Sequence, residues 1–208
     1  MQNRRVPTGL QAVVFDVGET LIDESRIWWR TAELAGVPPF TLMALVGALI
    51  ERGEDHRDVW RVLGVPHPPA APPIEAIDLY PDVLATLRAV RAHGLLVGIA
   101  GNQPAGVEQQ LRAVDCTPDF IASSASWGVA KPSPEFFARV VTASACRAAE
   151  VLYVGDRLDN DILPAKAAGM RTAFIRRGPW GHVHAARAEA ARPDLSLDTL
   201  QDLVRALP

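Results

Sequence analysis

Asp16 ends an apolar, β-branched run, Ala12-Val13-Val14-Phe15, and Gly18 follows two residues later. Far downstream, Val151-Leu152-Tyr153-Val154-Gly155-Asp156 repeats the pattern, with Asp161 following. Short apolar runs of this composition read as buried strands. If the two strands are parallel neighbours, Asp16 and Asp156 meet at one sheet edge. Two carboxylates there can hold a hard divalent cation through oxygen ligands. A carboxylate oxygen left free can act as a nucleophile.

The elements that must position these acids alternate along the chain. Five apolar runs predict strands at Leu10–Phe15, Leu95–Ala100, Phe120–Ser123, Val151–Gly155 and Thr172–Ile175. Helical spacing predicts helices between them at Pro81–His93, Pro104–Val114, Pro134–Cys146 and Asp161–Ala168, with Gly94 and Gly169 as stops. This alternation predicts an α/β fold, a doubly wound parallel sheet with helices on both faces and its site at the carboxyl ends of the strands. Residues 23–78 break the pattern. Arg26–Leu34, Phe40–Arg52 and Asp55–Leu63 read as helices, and the Pro-rich stretch 65–73 reads as an extended linker. The expected division is an α/β core of residues 1–22 and 79–208 and a helical cap of residues 23–78. Because the cap leaves the core so close to Asp16, it reads as a lid that excludes water. A helical appendage that only covers apolar surface is the alternative.

Composition sets outer bounds. The 208 residues are 49% hydrophobic, enough for a packed core, and carry a formal net charge of −3. The absence of a basic excess argues against a dedicated nucleic-acid partner. No run approaches the ~18 continuous apolar residues of a membrane span, which argues against a membrane partner. Cys116 and Cys146 are the only cysteines and form no CxxC pair. With no apolar leader at the N-terminus, the expectation is a reduced, cytoplasmic protein.

Taken together, the motifs resemble those of the haloacid dehalogenase-like (HAD) hydrolase superfamily with a small helical cap of the first-insertion type. Asp16-Val17-Gly18-Glu19-Thr20-Leu21 resembles its first motif, and Ile99-Ala100-Gly101-Asn102 falls where the second belongs. Ala130-Lys131-Pro132, with Pro134-Glu135-Phe136-Phe137, resembles the third, and Gly155-Asp156 through Asp161 resembles the fourth. The resemblance covers nearly the whole chain and implies strand order 5-4-1-2-3, which places the first and fourth strands side by side. It implies Mg²⁺ as cofactor and a small phosphorylated molecule as substrate. Asp16 would be the nucleophile, and Lys131 would neutralise the nucleophile and the phosphoryl charge. Metal ligands would be Asp16, the Gly18 backbone carbonyl, Asp156, and Asp161 either directly or through water. Gly101 and Asn102 would bind the phosphoryl group.

Two positions depart from the family pattern. Many family phosphatases carry a second Asp at the place of Gly18, which protonates the leaving oxygen and later activates water. Gly retains the backbone carbonyl for the metal but no acid. Ser or Thr is usual at the place of Gly101. Here the backbone N–H and Asn102 remain, and Asn102 equally suits a cap for the helix from Pro104. Glu19 stands one residue out of register with the missing acid, and Thr20 reads as a loop support. Asp23, Glu24, Asp55, His56 and Arg57 are polar cap residues available to substrate. Of the adjacent Trp28 and Trp29, one is expected to pack in the cap and the other to face the cleft. His182 and His184 read as residues of a Gly-rich loop rather than a metal pair. The departures leave two alternatives to a phosphatase: a non-catalytic binder of a phosphorylated ligand, and a metal-independent dehalogenase. A phosphonate-cleaving relative would need a cap Lys, and residues 23–78 contain none.

Overall fold

The computed structural model describes residues 6, 8–68 and 71–207. Pro69 and Ala70 of the expected Pro-rich linker, and most of the first seven residues, lie outside that set. Among the described residues, six parallel strands form one sheet: β1 (Ala12–Phe15), β2 (Leu96–Gly101), β3 (Phe120–Ser123), β4 (Val151–Gly155), β5 (Arg171–Ile175) and β6 (Leu195–Leu197). Their order is β3-β2-β1-β4-β5-β6, the expected order read from the other edge with one strand added. β6 escapes sequence reading because three residues show no period.

Alternate side chains of each strand enter opposite cores. Val13 and Phe15 of β1 join one cluster, and Ala12 and Val14 join the other. The first core is covered by α4 (Val83–Ala92), α5 (Val107–Ala113) and α10 (Leu200–Ala206), through Leu87, Leu111 and Leu203 among others. The second is covered by α7 (Pro134–Ser144) and α8 (Leu163–Ala167), through Phe136, Phe137 and Ala165. The short α6 (Ser124–Trp127) follows β3 directly.

Between β1 and α4 lie α1 (Ser25–Leu34), α2 (Pro39–Glu51) and α3 (Val59–Leu63). Their apolar faces build a third cluster of Ala32, Leu42, Val46, Leu49, Ile50, Val59 and Trp60. Trp180 closes that cluster from α9 (Gly178–Ala185). The chain leaves and re-enters the sheet layer side by side: Asp23 N–H donates to the Asp78 carbonyl at 2.7 Å, and Tyr80 N–H to the Leu21 carbonyl at 3.0 Å. Arg26 of α1 clamps the returning chain by donating to both carboxylate oxygens of Asp78, at 2.7 and 2.6 Å.

The segment expected as a Gly-rich loop is the helix α9. Pro179 stands in its first turn, and its glycines are there for close approach: a Cβ on Gly181 would lie 3.0 Å from the Ile175 carbonyl oxygen. The same two glycines hide the helix from propensity arguments. His184 of α9 is buried, and its Nδ1 accepts the Leu158 N–H at 3.0 Å. The ring is therefore neutral with its proton on Nε2, and burial holds its pKa down at about 4. A base with a depressed folded pKa stabilises the fold above its unfolded value near 6.5 and loses that stability as pH falls through the folded value. Between pH 7 and pH 4 the fold therefore loses stability. His184→Asn keeps an acceptor for Leu158 without the titration, so urea midpoints should fall less steeply with acid than in the parent. Equal slopes would remove His184 as the cause.

Candidate active site

Asp16 continues β1 by one residue, its N–H donating to the Val154 carbonyl of β4 at 2.9 Å. Phe15 pairs with Val154 across the two strands, so Asp16 and Asp156 leave the sheet at the same edge. Lys131 arrives from the loop before α7. Its Nζ lies 2.7 Å from Asp16 Oδ1 and 2.6 Å from Asp161 Oδ1. All four residues are buried, at 6% exposure for Asp16, 4% for Lys131, 2% for Asp156 and 0% for Asp161. Burial alone would strip the proton from Lys131, but the carboxylates of Asp16 and Asp161 override it and hold the ammonium well above its ordinary value. Burial pushes Asp161 up to about 6 against the pull of Lys131, and pushes Asp156 far up, with Asp161 and Asp16 adding repulsion.

Asp161 reaches the cluster on one wide turn. The Arg157 carbonyl accepts both the Asp161 and Ile162 N–H groups, each at 3.1 Å, and Leu158–Ile162 forms a π turn. Such turns concentrate at functional sites. The predicted helix from Asp161 therefore begins two residues later, at Leu163. Gly155 makes room for the turn, since a Cβ there would lie 2.5 Å from Asp161 Oδ2.

The three aspartates each offer an oxygen within 4.8 Å of the others. Asp156 Oδ2 is buried and has no hydrogen-bond partner among the described residues. An orphaned buried carboxylate oxygen is costly unless a donor or cation satisfies it. A hard, oxygen-ligated cation fits this donor set.

Gly101 contributes no hydroxyl, and the space for one is taken: a Cβ there would lie 2.5 Å from Asp16 Oδ1. Asn102 does not cap a helix, because α5 starts at Val107 with Gly106 before it. Its side chain instead clamps the Lys131 backbone, accepting the Lys131 N–H at 2.7 Å and donating to the Lys131 carbonyl at 2.9 Å. The carboxamide thus aims the ammonium, and at most its second N–H remains for a ligand. The Thr20 side chain departs from its expected supporting role, since its buried Oγ1 has no partner among the described residues. The Thr20 carbonyl accepts from Arg177 at 2.9 Å instead.

A cleft of about 620 Å³ opens above the cluster. Asp16, Gly18, Asn102, Lys131, Asp156 and Arg157 form its floor, and Trp28 with residues 53–57 lines it from the helical segment. Of the polar residues singled out there, Glu24, Asp55, His56 and Arg57 line the cleft, whereas Asp23 turns back to accept the Ser25 N–H at 2.9 Å. Trp28 both packs in the third cluster and lines the cleft; Trp29 is 57% exposed rather than packed. His56 sits edge-on between Trp28 and Trp180, at centroid distances of 6.2 and 5.0 Å. Burial, with the nearby Arg157 charge, holds its pKa down at about 4. His182 and His184 make no metal pair, because His184 is committed to Leu158. Burial and the neighbouring Glu19 push Glu24 up to about 7.

A HAD-hydrolase-like family model matches residues 128–203, which carry Lys131, Asp156 and Asp161. A phosphoglycolate phosphatase of Cereibacter sphaeroides is 30% identical over 222 aligned positions, covering 95% of this chain and 99% of that protein. A glyceraldehyde 3-phosphate phosphatase of Methanocaldococcus jannaschii is 32% identical over 128 residues, and this chain spans 54% of its length. Among solved structures, a dehalogenase with an intermediate complex superposes with a TM-score of 0.71 at 20% identity, covering 97% of this chain and 99% of that one. At that identity the likeness speaks for the fold alone. The full-length relationship to the Cereibacter protein, on top of the acids and the lysine gathered at the ends of β1 and β4, makes this chain a member of the haloacid dehalogenase-like hydrolase superfamily.

Proposed function

We propose that the chain is a Mg²⁺-dependent phosphatase acting on a small phosphorylated metabolite through an aspartyl-phosphate on Asp16. The observation that carries this reading is the buried cluster itself: Lys131 bridges Asp16 and Asp161 beside the orphaned Asp156 Oδ2. The names of the relatives, both phosphatases of small phosphate esters, support it.

Asp16 attacks phosphorus through a carboxylate oxygen, the bond to the leaving oxygen breaks, and an acyl phosphate results. Water then cleaves the acyl phosphate and regenerates Asp16. Splitting one displacement into two lowers each barrier. Lys131 holds Asp16 in place and neutralises the incoming phosphoryl charge, and Asn102 fixes the backbone that carries Lys131. Asp16, Asp156, the Gly18 carbonyl and Asp161, the last directly or through water, would hold the Mg²⁺, which when bound adds positive charge against the phosphoryl oxygens. Residues 23–78 serve as the cap over the cleft, with Trp28 and His56 keeping water out, and Arg57, whose Nε and one terminal nitrogen are held by Asp55, offers its other terminal nitrogen to an anionic substrate group.

The test is phosphate release from phosphomonoesters spanning aryl to sugar phosphates, with Mg²⁺ and with EDTA. Mg²⁺-dependent release is expected. Halide release from haloacids that persists in EDTA, with no phosphate release, would instead establish the dehalogenase alternative.

Metal binding has its own readout. Asp156→Asn removes one of three crowded buried carboxyls, so without metal the variant should melt a few degrees above the parent, at about 2–4 °C per kcal/mol for a chain of this size. Mg²⁺ at a hundred times its Kd should stabilise the parent by about 2.7 kcal/mol and the variant hardly at all. An equal Mg²⁺ shift in both proteins would take Asp156 out of the metal site.

A further inference from the structure

Gly18 leaves the first displacement without a carboxyl group to protonate the departing oxygen, and another element fills the gap. A Cβ built on Gly18 would lie 2.5 Å from Glu24 Oε1 and 3.0 Å from Glu24 Cδ. Standard bond lengths place an aspartate's own carboxylate oxygens about 2.4 Å from its Cβ. The Glu24 carboxylate therefore stands within the reach of an aspartate at position 18, but it comes from the start of α1 instead of from the end of β1.

The chain folds to deliver it there. Leu21 and Ile22 N–H groups both turn back to the Val17 carbonyl, at 2.9 and 3.0 Å, which brings residue 24 over residue 18. Glu19 holds the start of α1: its Oε1 accepts the Glu24 N–H at 3.0 Å while its Oε2 accepts the Tyr80 hydroxyl at 2.6 Å. Trp28 Nε1 donates to Glu24 Oε2 at 3.3 Å, which turns Oε1 toward Gly18. Glu24 shares the cleft with Asp16, Lys131 and Asp156. The other two acids nearby are engaged elsewhere, Glu19 through both oxygens and Asp23 with the Ser25 N–H.

We propose that Glu24 is the general acid and base of this site, an assignment that rests on the phosphatase reading above. In the first step the Asp16 oxygen bonds to phosphorus, the bond from phosphorus to the ester oxygen breaks, and the Glu24 carboxyl gives its proton to that oxygen. The products are the free alcohol, the aspartyl-phosphate and the Glu24 carboxylate. In the second step the Glu24 carboxylate takes a proton from water as its oxygen bonds to phosphorus and the bond to Asp16 breaks. This releases inorganic phosphate and restores both side chains. Because Glu24 rides on α1, docking of the cap onto the core also sets the proton donor in place.

The experiment compares the parent, Glu24→Gln, and Glu24→Ala with and without Gly18→Asp, using an alkyl phosphate and p-nitrophenyl phosphate in Mg²⁺. Glu24→Gln should lower alkyl phosphate turnover by about 10²–10⁴-fold, the range of general acid–base catalysis. Nitrophenolate needs no proton to leave, so the variant should still give a rapid burst of it, slowed less than about tenfold, followed by slow turnover. The phosphoenzyme should accumulate and be visible by intact mass. In the Glu24→Ala background, the space beside residue 18 opens, and adding Gly18→Asp should restore alkyl turnover by at least about tenfold. Alkyl turnover by Glu24→Gln within about threefold of the parent, far inside that catalytic range, overturns the assignment. So does equal loss with both substrates and no phosphoenzyme, which is the mark of a merely structural role. No release by the parent itself overturns the phosphatase reading and this assignment with it, so the two failures are distinct.

Discussion

An Asp16→Asn protein will fold and release no phosphate from any ester that the parent hydrolyses. The amide is nearly isosteric but does not attack phosphorus, and loss of a nucleophile acts on a scale of about 10⁴–10⁶-fold. Folding survives because the substitution removes an anion from a cluster with a surplus of them. Lys131 faces two carboxylates, with Asp156 close behind. In the variant Lys131 keeps Asp161 at 2.6 Å, so no buried charge is left without a partner, the large cost of breaking a buried pair does not arise, and the melting temperature should stay within a few degrees of the parent's. Melting temperature, turnover and phosphoenzyme mass measured on one preparation separate the two effects. Turnover at the parent's level in a folded variant would eliminate Asp16 as the nucleophile, and an unfolded variant would show that the carboxylate is needed for structure.

Much of this site can be read from the sequence, because its acids stand at the ends of apolar runs. The β1 and β4 segments are so uniformly apolar that strand, direction and end coincide with the first polar residue, Asp16 in one and the Gly155-Asp156 pair in the other. Lys131 is legible only through its place in the motif order, since an isolated lysine before a helix carries no signal of its own. Asn102 shows a limit of motif reading. Its type suits a phosphate contact or a helix cap; the fold rules out the cap and commits the carboxamide to the Lys131 backbone, a partner 29 residues away that no local pattern announces. The helix α9 is hidden by glycines kept for close packing, and with it the burial of His184 and Trp180. Glu24 is hidden differently. Sequence separation from residue 18 is six positions, and only the turn that ties Leu21 and Ile22 to Val17 converts that separation into contact. A motif written as consecutive positions records Gly18 as a loss, whereas the folded chain supplies a carboxylate to the same space.

Replacing Lys131 with Met will cost more stability than any other change at this site. Lys131 is 4% exposed and its ammonium lies against Asp16 and Asp161. Removing one partner from a buried ionic cluster destabilises by about 3–5 kcal/mol, because the remaining charges are left uncompensated. At about 2–4 °C per kcal/mol the melting temperature should fall by roughly 10 °C. The deficit has a pH signature. Burial already holds Asp161 up at about 6 with the lysine present, and without it that carboxyl moves higher. A group whose folded pKa lies above its unfolded value near 3.9 contributes its stability fully below that value and loses it as pH rises through the folded one. The variant should therefore approach the parent near pH 5 and fall furthest behind above pH 7. Mg²⁺ held by the same three carboxylates, as proposed, would add positive charge there, so it should raise the variant's melting temperature more than the parent's. Lys131→Arg should restore neither property in full, because a planar guanidinium does not fit where a compact ammonium bridges two oxygens. Adding Asp161→Asn to Lys131→Met should recover part of the stability, since the two residues touch and their effects are not additive. Should Lys131→Met melt with the parent at every pH, the ammonium would not be what holds the buried acids together, and their proximity would have to be sustained by protonation alone.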